Sequence, residues 1–143
     1  KFVENNPEKD WIVLAAAVLL CIVIVPYVYF KPYPMDYVNG ELLVDPVKKT
    51  IGCFTDAGRL LGVAVGWFLE RRFVKFEVEC SSREKFLRAF LGGLLFVLYW
   101  TIVLDWLSKM IGTGWIQLLL HASAPALFMC VYPLCFKWLK SRA

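Results

Sequence analysis

A single histidine, His121, stands in an otherwise apolar stretch, and so do the charged side chains Asp56, Arg59 and Asp105. Imidazole and carboxylate could carry a proton, and a guanidinium could hold a phosphate. A catalytic site, however, needs a nucleophile, an acid or base, and a stabiliser of developing charge brought together. The hydroxyl nearest His121 in sequence is Ser123, and on a helix residues two apart face different directions, so the two are not a ready base and nucleophile. His121 therefore reads as a helix–helix hydrogen bond or as a proton-handling or headgroup contact. Asp56 and Arg59 are three apart and can meet across one helical turn, each reducing the other's desolvation cost. Near the start of a helix the pair would be structural, with Arg59 snorkelling to the surface; otherwise it would meet a lipid headgroup or a partner helix. Asp105 is followed by Ser108 and Lys109, a pattern expected where a helix surfaces. These four residues are the candidates for lipid or helix–helix polar contacts, and none is assigned a catalytic role.

Metal and cofactor chemistry lack support. Asp56, Asp105 and His121 would have to converge from three helices, and the five cysteines have neither ligand spacing nor a CxxC pair. The glycines around Gly58 alternate with bulky apolar residues and are not followed by a Lys-Ser/Thr pair, so they form no phosphate loop. We expect no metal and no cofactor. The odd cysteine count, with most members inside apolar runs, argues for reduced thiols packed as small hydrophobes.

The segments that must position these residues are hydrophobic. Of 143 residues, 59% are hydrophobic and 20% charged, against roughly 45 to 50% apolar in soluble domains. The excess is gathered into runs at about 11–30, 51–69, 86–107 and 115–136, each near the ~20 residues that a hydrocarbon core of about 30 Å demands of a helix. The expected fold is an all-α membrane protein with four transmembrane helices and short loops, a single membrane-embedded module over residues 1–143. The first run is too long for a signal-peptide core and reads as a retained helix. Trp11 at one end, with Tyr27, Tyr29, Tyr33 and Tyr37 at the other, suits rings that prefer the two interfaces. Residues 31–50, with Pro32, Pro34, Asn39-Gly40 and Pro46, read as an exposed loop holding a short Glu41–Val44 strand or turn. Phe73, Val74, Phe76 and Val78, interleaved with Lys75 and Glu77, read as a short extended piece at the interface. Ser81 or Ser82 is a candidate cap for the third helix, and Pro125 and Pro133 predict bends in the fourth.

Gly58, Gly62 and Gly66 recur every four residues, so one face of the second helix lacks side chains and is a candidate helix-packing surface. Beyond it, Arg71, Arg72, Lys75, Arg83, Lys85 and Arg88 form a basic loop suited to a membrane surface. With four crossings this loop and both termini share one side, whose Lys and Arg excess predicts the cytoplasmic face. The net charge of +4 fits an anionic membrane surface. No recognition helix, zinc spacing or RNA-binding motif is present, so nucleic acid is not an expected partner.

The stretch Gly58-Arg59-Leu60-Leu61-Gly62-Val63-Ala64-Val65-Gly66-Trp67-Phe68-Leu69-Glu70-Arg71-Arg72-Phe73-Val74-Lys75-Phe76-Glu77, followed by a charged helix start and a Gly-rich helix, resembles the carboxy-terminal membrane region of bacterial proteins of the type 2 phosphatidic acid phosphatase (PAP2) family. The resemblance covers Ile51 to the end. The motifs that mark the family's catalytic part, a Lys/Arg-rich motif, a Ser-Gly-His motif and a later Arg-and-His motif, are missing here, and the one histidine cannot supply two. The resemblance implies the non-catalytic C-terminal membrane module of a lipid-phosphate phosphatase, a hydrolase of membrane phosphomonoesters or pyrophosphates. Its partners would be membrane lipids and an upstream catalytic half. The alternative is a free-standing membrane scaffold or small transport-associated protein.

Overall fold

The computed structural model describes residues 7–38, 40–75, 81–110 and 114–140. A single 3-10 turn, Pro7–Lys9, leads into helix α1, Asp10–Phe30. At about 1.5 Å per residue its 21 residues rise roughly 31 Å, the thickness of a hydrocarbon core. Two short antiparallel strands follow, β1 (Tyr37–Val38) and β2 (Glu41–Leu42), with Tyr37 opposite Leu42; the Asn39 of the expected turn lies outside the described residues.

Helix α2 spans Pro46–Leu69, starting five residues before the expected Ile51. The reason lies in Asp45-Pro46. The Asp45 carboxylate accepts from the N–H groups of Val47 at 2.9 Å and Lys48 at 3.2 Å, satisfying donors that have no partner inside the helix. Pro46 follows at the first helical position, where a missing N–H costs nothing. At the other end the helix widens into a π-helical stretch, Glu70–Val74, and stops at Lys75, whose φ of 46° is left-handed. Phe73 and Val74 are thus helical, not extended. The rest of the expected extended piece, residues 76–78, lies outside the described residues.

Helix α3 (Ser82–Leu98) is capped by the Ser81 side chain, which accepts from the Glu84 N–H. It continues through a second π-helical stretch, Tyr99–Leu104, into α4, Asp105–Met110. The Gly112 of the expected turn lies outside the described residues, and α5 then runs from Gly114 to Lys140, continuous through Pro125 and Pro133.

Helices α1 and α2 are antiparallel: Arg71 reaches Asp10 at one end, and Tyr29 lines a cavity with Pro46 and Thr50 at the other. Helices α2 and α5 run parallel, with Gly58 against Leu118, Gly62 against Ala122 and Gly66 against Ala126. Helices α3 and α4 return antiparallel to α5, from Arg88 near Tyr132, through Trp100 near His121, to Ser108 near Gln117. The α2–α5 seam is the most extensive interface and α1–α2 the next. Its closeness depends on the absence of side chains. A Cβ on Gly62 would lie 2.8 Å from the Ala122 Cα, and one on Gly58 would lie 3.0 Å from the Leu118 Cα; both are backbone atoms that cannot move aside. Around this seam Cys21, Val25, Phe54, Ala57 and Leu118 form the core.

Of the four expected spanning helices, three are clearly long and apolar enough to cross a membrane among the described residues: Asp10–Phe30, Ser82–Met110 and Gly114–Trp138. Pro46–Leu69 is not among them, because Lys48, Lys49, Asp56, Arg59 and its glycines dilute its apolar residues. The chain is an all-α, multi-pass membrane bundle, and its least apolar long helix is the one packed against both α1 and α5.

Candidate functional site

Depth decides what a charge inside a membrane helix means. The Cys21 Sγ, close to the middle of α1, donates to the Ala57 carbonyl at 3.7 Å, so Asp56 and Arg59 lie level with the midpoint of the most apolar helix. With α2 starting at Pro46, the pair is several turns in, and a position one or two turns from a helix end is ruled out. Were α2 to cross a membrane alongside α1, about 15 Å of hydrocarbon would separate these groups from either surface, too far for a carboxylate on a single methylene to snorkel. Insertion scales put a charge at that depth at about 2.5 to 3.5 kcal/mol.

Arg59 Nη1 donates to Asp56 Oδ1 at 2.9 Å, so the two neutralise one another across one turn. The guanidinium lies over the Trp100 ring, 4.5 Å from its centroid, where the negative face of the indole attracts a cation. Trp100 in turn meets the His121 imidazole edge-on at 5.6 Å. Asp56, Arg59, Trp100 and His121 thus form one chain of contacts across α2, the Tyr99–Leu104 stretch and α5 at a single level. Trp100 belongs to the Tyr99–Leu104 π-helical stretch, and such local widening is frequent at functional sites.

The cluster retains unused hydrogen-bonding capacity. His121 is 6% exposed, and among the described residues its Nδ1 and the Arg59 Nε are buried without a hydrogen-bond partner. Pro125, lacking an N–H, withholds the usual helical bond from the His121 carbonyl. Next to it, Tyr99 and Ser123 share a hydrogen bond of 3.0 Å, and Ser123 also donates to the Leu120 carbonyl at 2.6 Å. The Ser123 hydroxyl is therefore engaged with Tyr99 and the backbone.

Asp105 stands apart. It accepts from Lys109 at 2.6 Å, with both side chains more than half exposed. The basic residues expected at a membrane surface gather at the opposite end. Arg71 donates to the nearly buried Asp10 at 2.8 Å and lies over the Trp67 ring, Arg72 over Phe68, and Arg88 over Phe136. Lys75, Arg83 and Lys85 are exposed there. Among the described residues no group of three or more His, Cys, Asp or Glu could hold a metal, and Cys21, Cys53, Cys130 and Cys135 are free thiols.

Trp100, Gln117 and Asp10 escaped sequence reasoning. Trp100 lies toward the end of the third apolar run, and nothing in the sequence marks it out because a π-helical stretch leaves no periodic signature. Gln117, 2% exposed, exchanges two hydrogen bonds of 2.7 Å with Ser108 and ties α4 to α5. A lone amide in an apolar run was the available signal.

Comparison with known proteins adds one result. The profile of the family described as PAP2 superfamily phosphatase, transmembrane extension, matches residues 54–143. No curated protein and no solved structure gives a match.

Proposed function

The chain belongs to the PAP2 superfamily phosphatase, transmembrane extension family, and from that membership we propose that residues 1–143 are a non-catalytic C-terminal module of a lipid-phosphate phosphatase. The module packs within the bilayer and orients a catalytic part that acts on membrane phosphate esters. The family match carries this reading. Beside it stands the chemistry: phosphoryl transfer needs convergent charge-stabilising and proton-transfer groups, and the sequence has one histidine and no Ser-Gly-His.

In this reading α2 crosses the membrane as a fourth pass, shielded by its neighbours. Its 24 residues rise about 36 Å, enough to carry the chain from the Phe30 end of α1 back to the Asp10 end. Both termini and residues 70–88 then lie in the cytoplasm. Support comes from Lys9, Arg71, Arg72, Lys75, Arg83, Lys85, Arg88 and Lys137 at that end, against Lys31, Lys48, Lys49 and Lys109 at the other. Membrane lipids contact the outward faces of α1 and α3.

The test is phosphate release by purified residues 1–143 in mixed micelles of phosphatidic acid. We expect none above a protein-free blank. Release that His121→Ala abolishes would overturn the non-catalytic assignment.

A further inference from the structure

Three sides of α2 are accounted for. Ala57 lies on the side facing α1, Gly58, Gly62 and Gly66 face α5, and Arg59 reaches Trp100 of the Tyr99–Leu104 stretch. A fourth face, Gly52, Asp56, Leu60 and Val63, is spaced at four, four and three residues and so forms one stripe. It is open among the described residues: a Cβ on Gly52 would meet nothing within 4 Å, Leu60 and Val63 point outward, and the Asp56 side chain is 73% exposed. The stripe is therefore an apolar helix face with a carboxylate at its centre, level with the middle of α1.

Neither water nor a headgroup suits that carboxylate. Water is scarce at this depth, a phosphate headgroup would have to leave its own interface, and acyl chains offer no donor. Arg59 Nη1 is bonded to one of its oxygens, whereas a carboxylate has about four acceptor positions. What complements such a face is a second helix, apolar along its length, that brings a donor to the same depth, as polar side chains do between membrane helices.

We propose that the Gly52–Asp56–Leu60–Val63 face of α2 is the docking surface for a membrane-spanning helix from outside residues 1–143, one that presents a cationic or hydrogen-bond-donating side chain to Asp56. The inference rests on the reading of α2 as a membrane crossing. Gly52 lets the partner's backbone approach, Leu60 and Val63 supply apolar contact, and Asp56 sets the depth at which the two helices register. An apolar helix without the donor would leave the second carboxylate oxygen unpaired and be disfavoured.

The test places the photoreactive residue p-benzoylphenylalanine at Val63 of the full-length protein in native membranes. Val23, on the outward face of α1, serves as a lipid-facing control. Irradiation is expected to give lipid adducts at position 23. At position 63 it should give a peptide adduct that mass spectrometry maps to a membrane-spanning segment with a donor side chain within a turn of the cross-link. Asp56→Leu should lower that adduct about tenfold, equivalent to about 1.4 kcal/mol, while Asp56→Asn, which keeps an accepting oxygen, retains most of it. Leu60→Trp, which adds bulk to the exposed side of the stripe, should block the adduct even if Asp56→Leu folds poorly. Lipid-only adducts at 63, an adduct to Val63's own surroundings in a second copy of this chain, or a yield indifferent to both Asp56→Leu and Leu60→Trp would each overturn the proposal. Labelling of Val63→Cys by a water-borne maleimide would instead overturn the crossing of α2, and the inference with it.

Discussion

If α2 crosses the bilayer, the Arg59 guanidinium lies near its middle, where a charge must be answered within the side chain's own reach. Arg59 is answered twice, by Asp56 at 2.9 Å and by the Trp100 ring at 4.5 Å. Removing one member of a desolvated ion pair strands the other, whereas removing both and substituting apolar groups can be neutral. For the purified chain in detergent, Arg59→Met is therefore expected to cost about 1 to 3 kcal/mol. The double variant Asp56→Leu/Arg59→Met should recover to within about 1 kcal/mol of the parent. Thermal unfolding of the three proteins under matched conditions provides the comparison. A double variant no more stable than Arg59→Met would show that the two side chains do not act as a pair. Asp56, Arg59 and His121 were legible in the sequence because each is a polar interruption of an apolar run. Their grouping with Trp100 was not, since it depends on which helices are neighbours and on a π-helical stretch that shifts the side-chain phase.

At the scale of elements, the two glycine positions of α2 that differ most are Gly62 and Gly52. At Gly62 a methyl group would press on the Ala122 backbone; at Gly52 it would meet open space. Overpacking a rigid interior costs about 1 to 3 kcal/mol, while Gly→Ala in an open helix position gains up to about 1 kcal/mol from helix propensity. Gly62→Ala should thus lower the aggregation temperature of the detergent-extracted protein, and Gly52→Ala should leave it unchanged or raise it. Leu61→Ile, a volume-conserving change next to the seam, should fall between them. If Gly62→Ala matched Gly52→Ala, the close approach of α2 and α5 would be wrong. The four-residue period was readable directly, because helical geometry places such residues on one face. Which helix the glycines face was not, for α5 is some sixty residues away and runs parallel to α2, a relation no local pattern records. The early start of α2 was readable in principle from Asp45-Pro46, but proline also marks turns, and four of them fall between residues 26 and 46. Only the cap geometry decides between a turn and a first helical turn.

For the whole molecule, composition identified the membrane, because apolar excess and run length are summed properties that tolerate local errors. The number of crossings is less secure in sequence, since it depends on α2, whose hydrophobic deficit is offset in the fold by α1 and α5. Three or four crossings predict different sides for the two connecting regions, so the question has a clean measurement. Let every native cysteine be replaced and a single one introduced at Glu41, in the β1–β2 hairpin, or at Ser82, at the start of α3; both side chains are exposed. A membrane-impermeant maleimide is then applied to intact and to permeabilised cells. If α2 crosses, the two positions lie on opposite faces, and the basic end containing Arg71, Arg72, Lys75, Arg83, Lys85 and Arg88 faces the cytoplasm. Glu41→Cys should then react in intact cells and Ser82→Cys only after permeabilisation. Reaction of both in intact cells, or of neither, would mean that α2 returns the chain to the side it came from. The mid-depth placement of Asp56 and Arg59 would fall with it. Reaction of Ser82→Cys alone would keep the four crossings and invert them, leaving the helix packing intact while removing basic charge as the determinant of orientation.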